Sequence, residues 1–372
     1  MLAGRALRGP ARAFAAVLAL IALAVLAPGA PAAVVLDPAP GCGPALDSAD
    51  VLDCQPPVLA SYGGWLAWSR SVGGGSFQLE LRSPAGAVAP APVSARRSPF
   101  DVELGPQGGG TAAVYSRCSD PIGYRGCSLY ELPLGRAGAS ERQLRPPGGG
   151  SLHEPAIWNG RLVFLRRNPS GGSENPLHRM GRRPDLLLGW RIGSATVQGL
   201  SLPSSRGTRE WPRGRTGVVS GLTIHGSWLA YETASGFATP GLELGLRTLW
   251  AQTLGGGPRL VDQLTAGEGN VCDPALVSPA LTAGWVYAFL HPCDPSGRDL
   301  DRWVRYSLTS RTAERARLAV TASAEDPVYG VLPDRSGAAW EGTQVVSVPS
   351  VSWRPIPRPV PASFCTRADL FC

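Results

Sequence analysis

Residues able to do chemistry are few and scattered in this sequence of 372 residues. Its four histidines, His153, His178, His225 and His291, lie too far apart for any two to be read as ligands of one metal ion. His153-Glu154 opens like the His-Glu-x-x-His zinc helix, but the second His is missing and Pro155 follows, which favours an extended start to a strand. His178 falls in a loop, His225 in a turn and His291 at a strand end, so structural or solvent roles are assigned to all four. Asp294, Asp299 and Asp301 in CDPSGRDLD offer oxygens for Ca²⁺ but lack the spacing of an EF-hand, and Asp-Pro-Ser-Gly reads as a turn.

All 35 basic residues are Arg. The absence of Lys removes a Walker A lysine, a Schiff-base lysine and a Ser-x-x-Lys nucleophile pair. There is no Gly-x-Ser-x-Gly elbow, although a Ser-His-Asp triad assembled in space leaves no trace in spacing. Asp101, Asp334 and Glu341 fall near the starts of the repeats described below and receive no catalytic assignment. No catalytic residue, metal or cofactor is therefore expected.

Arginine is concentrated in one region. Between Arg161 and Arg215, eleven Arg face Glu174, Asp185 and Glu210, a local balance of +8 against +7 for the whole chain. Two stretches hold most of it: RRNPSGGSENPLHRMGRRP carries Arg166, Arg167, Arg179, Arg182 and Arg183, and SSRGTREWPRGRT carries Arg209, Arg213 and Arg215 around Trp211. Guanidinium groups beside an indole suit an anionic polymer or a protein surface. Solvated basic loops are the plainer alternative.

The first 32 residues read as a secretory signal, with Arg5, Arg8 and Arg12 before the apolar run Phe14 to Leu26 and a small-residue site at Ala30-Pro31-Ala32. The run is short for a membrane span, so membrane contact is expected only if this segment stays uncleaved. Export makes nucleic acid a poor partner for the Arg loops and favours an anionic envelope polymer or an unknown protein. It also lets disulfides persist, and of the roughly 105 pairings open to eight cysteines the sequential one is expected: Cys42 with Cys54, Cys118 with Cys127, Cys272 with Cys293, and Cys365 with Cys372.

The elements that must position these groups form a repeat. Ala or Val followed by an aromatic recurs as Ala67-Trp68, Val114-Tyr115, Val163-Phe164, Ala230-Tyr231, Ala288-Phe289 and Ala339-Trp340, at intervals of 47, 49, 67, 58 and 51 residues. Each repeat divides into four extended runs, in the fourth Val218 to His225, Ser227 to Glu232, Leu244 to Gln252 and Arg259 to Leu264. The second run is nearly all apolar, as in Leu162-Val163-Phe164-Leu165, which predicts burial on both faces. The third alternates, as in Arg302 to Leu308, which predicts a half-exposed strand. Gly (47) and Pro (36) supply the many turns this requires.

Around Val58 to Pro357 the chain resembles the TolB-like (WD40-like) β-propellers, in which an aromatic and Ser-Pro-Asp-Gly precede Ile-Ala-Phe. Here the turn reads Gly63-Gly64, Asn159-Gly160, His225-Gly226 and Ala283-Gly284, with Pro333-Asp334 nearest to the family pattern. The resemblance implies an all-β, six-bladed β-propeller of four-stranded antiparallel blades, with five or seven blades left open. The expected domains are a signal at 1–32, an N-terminal segment at 33–57, the propeller at 58–361 and a tail at 362–372. Val34-Val35-Leu36 is expected to add an outer strand to the last blade. The links between second and third strands share a face with the blade-to-blade links, and this face collects Cys118, Cys127, Cys272, Cys293 and the Arg loops. Function is expected to be binding or scaffolding through that face, with a secreted hydrolase or lyase acting in the funnel as the alternative.

Overall fold

The computed structural model describes residues 35–37, 59–119, 124–168, 185–203, 218–239, 242–265, 275–291, 302–310, 312–316, 337–341, 344–348 and 354–356. After β1 (Val35–Asp37), the strands fall into consecutive antiparallel sheets. The first is β2 (Leu59–Tyr62), β3 (Trp65–Gly73), β4 (Ser76–Arg82) and β5 (Val88–Pro90). The second is β6 (Glu103–Gln107), β7 (Gly110–Arg117), β8 (Ser128–Pro133) and β9 (Arg142–Leu144). The third is β10 (Leu152–Trp158), β11 (Arg161–Arg166), β12 (Leu186–Arg191) and β13 (Val197–Gly199).

The fourth sheet is β14 (Val218–His225), β15 (Trp228–Thr239), β16 (Leu242–Thr253) and β17 (Arg259–Thr265). The fifth is β18 (Ala275–Leu281), β19 (Trp285–His291), β20 (Arg302–Ser307) and β21 (Ala313–Ala316). These five up-and-down sheets are the blades of a β-propeller, and no helix occurs among the described residues. The sixth Ala-aromatic dipeptide lies on β22 (Gly337–Glu341), which pairs with β23 (Gln344–Val348), and β1 completes a three-stranded sheet beside β23. The N-terminal strand thus joins the last sheet as expected, whereas β24 (Arg354–Ile356) instead extends the fifth blade outside β21.

Each blade begins with a two-residue hairpin whose backbone explains the glycines. Gly63-Gly64, Gly108-Gly109 and Asn159-Gly160 all take positive φ at both positions, the type I′ geometry that matches strand twist. In the fourth blade His225 pairs with Trp228, so the turn is Gly226-Ser227 and His225 ends β14 rather than sitting in the turn. Burial then stacks the blades. Ala113 and Tyr115 of β7 pack against the first blade, while Val114 between them packs against the third. The second strand of a blade is apolar on both sides for this reason. The third strand is more buried than its alternation suggested: among the residues of β20 whose burial is described, Val304, Tyr306 and Ser307 are buried and Arg305 is half-exposed, with Val304 and Tyr306 packed against Leu249 and Ala251 of the fourth blade.

Phe164 is fully buried between the second and third blades. Phe164→Ala is expected to lower the free energy of unfolding by about 3–5 kcal/mol, while Val72→Ala, at a side chain 55% exposed, changes it by less than about 0.5 kcal/mol. Urea unfolding of both variants against the parent chain checks this.

Candidate functional site

The first strands of successive blades are spatial neighbours, β2 beside β6, then β10, β14 and β18. Together they line a central channel. Most of its wall is small or apolar, as at Ala60, Leu104, Leu222 and Ala280. Close packing of the strands demands this. At Gly105 a Cβ would lie 2.0 Å from the carbonyl oxygen of Ile157 on the next blade, so only Gly allows β6 and β10 to approach. Against this background three carboxyl groups stand out on the lining: Asp101, Glu103 and Glu154.

A repeated backbone irregularity places Glu154. In β10, β14 and β18 the register shifts at one equivalent place, between His153 and Ala156, Ser220 and Thr223, and Val277 and Ala280. Two residues there oppose one on the partner strand, a β-bulge that re-aims a side chain. The first bulge residue is Gly221 in β14, with φ 62°, but Glu154 in β10, with φ 49°. A non-glycine residue in this left-handed region is held there against its own preference, a condition that recurs at functional sites.

The bulge N–H groups are satisfied by carboxyl oxygens of the preceding blade. Asp101 Oδ2 accepts the N–H of Glu154 at 3.0 Å, and Glu154 Oε2 accepts the N–H of Gly221 at 3.2 Å. Asp101 also accepts the Ser116 N–H at 2.8 Å and its hydroxyl at 2.6 Å, and faces Arg96 Nη2 at 3.4 Å. Arg96 in turn donates to the carbonyls of Ser98, Pro99 and Ser116 and lies over the Phe100 ring. Two residues after Asp101, Glu103 Oε1 accepts the Thr223 hydroxyl at 2.7 Å, linking the second blade to the fourth.

These environments split the acids into two kinds. Burial works to raise the pKa of Asp101, but the Arg96 charge and its three hydrogen bonds outweigh it and hold the group below the ordinary carboxylate value. Burial pushes Glu103 up to about 8, with the Glu154 charge adding to the rise and the Thr223 hydrogen bond opposing it. Glu154 is likewise pushed up to about 8, by burial first and then by Asp101, with Gly221 opposing. Near neutral pH the channel therefore holds one ionised carboxylate paired with a guanidinium and two neutral carboxylic acids that can donate protons.

At the other end of the lining, near the hairpin turns, Tyr62 and Trp158 meet edge to face at 5.6 Å, and His225 lies 4.0 Å from Trp158. A separate cluster behind β10 joins buried His153 to Asp185 at 3.0 Å under the Tyr124 ring, beside the Cys118–Cys127 disulfide. Among the described residues no group of His, Cys, Asp or Glu is arranged to hold a metal ion.

Of the residues singled out from sequence, Asp101 enters the channel site. Glu103 carries no signal in the sequence, and the pair His153-Glu154 reads there only as a failed zinc motif. The usable signal was positional: Glu154 and Gly221 both stand five residues before their turns, at Asn159 and Gly226. Arg166 closes β11 and donates to the Pro147 carbonyl at 2.8 Å, and Arg167 is half-buried beside it. Arg179, Arg182, Arg183, Arg209, Trp211, Arg213 and Arg215 lie outside the described residues, as do Asp294, Asp299, Asp301 and Asp334. Cys42, Cys54, Cys272, Cys293, Cys365, Cys372, His178 and the signal segment also lie outside them.

No protein-family model and no curated protein matches the chain. Solved structures similar to it include puromycin hydrolase, at 16% identity over 84% of this chain and 50% of that one, with a TM-score of 0.41. Another is a GH43 endo-arabinanase from Bacillus licheniformis, at 10% identity over 68% of this chain and 92% of that one, with a TM-score of 0.35. A third is the lectin SapL1 in complex with alpha methyl fucoside, at 13% identity over 68% and 76%, with a TM-score of 0.38. This chain spans half the length of the puromycin hydrolase chain.

The raised acids make stability depend on pH. Between the ordinary glutamate value of 4.5 and about 8, folded Glu103 keeps a proton that the unfolded chain releases, and Glu154 does the same. Stability from these groups is then full below pH 4.5 and lost as pH rises through about 8. Unfolding of the parent chain and of Glu103→Gln/Glu154→Gln across this range is expected to show a steeper decline in the parent.

Proposed function

We propose that the chain is an exported hydrolase whose active site is the central channel, with Glu103 and Glu154 as an acid–base pair and Asp101 as the anchor that places Glu154. One observation carries this reading: two carboxyl groups from neighbouring blades are each raised to about 8, the charge of Glu154 adding to the rise at Glu103, in a channel that still admits solvent. Like-charge repulsion lets such a pair hold one proton over an extended pH range. The protonated member gives its proton to the leaving oxygen as that bond to the substrate breaks. Its ionised partner takes a proton from the attacking water, whose oxygen forms the new bond. Because Asp101 is already neutralised by Arg96, an uncharged substrate suits the channel best, and glycosidic bonds are the substrate class the two-carboxyl chemistry favours.

Export rests on the Arg-bearing apolar leader and accords with the Cys118–Cys127 disulfide. Kinship with TolB-like propellers rests on the repeat motif, as in Trp158-Asn159-Gly160 before Leu162-Val163-Phe164. The local charge of +8 between Arg161 and Arg215 supports a second role, in which the Arg-rich face holds an anionic envelope polymer or a protein partner. Binding to anionic polysaccharide that weakens steeply between low and high salt, and that is lost on replacing the loop arginines with Gln, is the expected result for that role.

Turnover of 4-nitrophenyl glycosides tests the main proposal. At least one glycoside is expected to be cleaved, with a bell-shaped pH profile centred near 8, and Glu103→Gln and Glu154→Gln should each lower kcat by about 100-fold or more. Activity unchanged in both variants, or none on any glycoside, contradicts it.

A further inference from the structure

The turn end of the channel carries a feature that the acid–base pair does not use. Tyr62 at the end of β2 and Trp158 at the end of β10 are both half-buried and both on the channel lining. Their rings meet at an interplanar angle of 82°, and His225 braces Trp158 from β14. Three blades thus contribute to one aromatic wall. Buried Tyr and Trp ordinarily find partners for their polar edges. Trp190 does so, donating its indole N–H to the Ser194 carbonyl at 2.9 Å, and Trp250 donates to the Thr233 hydroxyl at 2.8 Å. Neither the Tyr62 hydroxyl nor the Trp158 indole N–H has a protein partner among the described residues, so both donors remain for whatever enters the channel.

We infer that this wall is a binding subsite for one ring of an uncharged sugar, placed so that a second ring reaches Glu103 and Glu154. An apolar ring wall with two unspent donors matches a ligand that has C–H faces and hydroxyl edges together. Burial also lowers the pKa of His225, so near neutral pH the wall adds no positive charge that would select an anion. Along β10 the four-residue separation of Trp158 from Glu154 spans roughly 10–13 Å at a strand rise of ~3.3 Å per residue. That span calls for a ligand longer than a single ring, with the wall fixing one end and the acids meeting the bond beyond it. Tyr62 and Trp158 are in this sense specificity residues, and the inference rests on the channel being the working site.

Equilibrium binding of cellobiose and maltose, followed by calorimetry with the full chain, separates this subsite from the acid–base chemistry. One of the two disaccharides is expected to bind to the parent chain and equally to the surface variant Val72→Ala. Tyr62→Phe, which keeps the ring and removes the hydroxyl, and Trp158→Phe, which keeps an aromatic ring and removes the indole N–H, should each weaken it by about 10-fold, and Trp158→Ala should abolish it. Retained binding with no glycoside turnover refutes the hydrolase and leaves the subsite standing. Turnover of glycosides with KM unmoved by Tyr62→Phe and Trp158→Phe refutes the subsite and leaves the hydrolase. Failure of both disaccharides to bind, or binding indifferent to both Phe variants, overturns the inference.

Discussion

The channel site of this propeller depends on one hydrogen bond, from the N–H of Glu154 to the carboxylate of Asp101. A bulge in an inner strand leaves a backbone N–H turned out of its own ladder, toward the neighbouring blade. Left unpaired so close to the core, such a group would destabilise the fold. The preceding blade answers with a carboxylate, and the following blade repeats the arrangement when Glu154 accepts the N–H of Gly221. Carboxyl groups are thus drawn into a channel that otherwise holds small and apolar side chains. Their presence there follows from how the blades are joined.

The same arrangement sets the chemistry. Arg96, deep under Phe100, fixes Asp101 as an anion, and that anion with its shell of donors holds the left-handed backbone of Glu154 in place. Glu154 then lies beside a negative charge in a poorly solvated space, and Glu103 lies within reach of its field. The Arg96 charge offsets ionisation of Glu154 only in part, and burial outweighs it, so both acids resist losing a proton. Burial, with the Asp101 charge adding to it, therefore makes a neutral acid of Glu154. A water-filled funnel of the same shape, with the acids fully hydrated, would hold ordinary carboxylates and no proton donor near neutral pH.

Much of the fold was legible because it is written in local patterns. Apolar second strands such as Leu162-Val163-Phe164-Leu165 announce burial from both sides, and Asn159-Gly160 announces its type I′ turn. The link holding Cys118 and Cys127 followed from the same strand count. The site was far less legible. Glu154 looked like the stump of a zinc motif, since nothing in its neighbours shows that the strand bulges there, and Glu103 meets Thr223 across 120 positions of sequence. Asp101 was seen only as a residue near a repeat start. Bulges and cross-blade hydrogen bonds depend on how sheets face one another, which no spacing within a repeat records. The Arg loops were conspicuous in sequence for the opposite reason, as charge density needs no fold to be visible.

The protonation of the two channel glutamates is the point on which the chemistry turns, and it can be observed directly. In a chain carrying ¹³C at the glutamate carboxyl carbons, NMR titration is expected to show two resonances moving near pH 8, one lost in Glu103→Gln and the other in Glu154→Gln. If every glutamate instead titrates near the ordinary value of 4.5, the channel holds two ionised carboxylates and the acid–base pair does not exist.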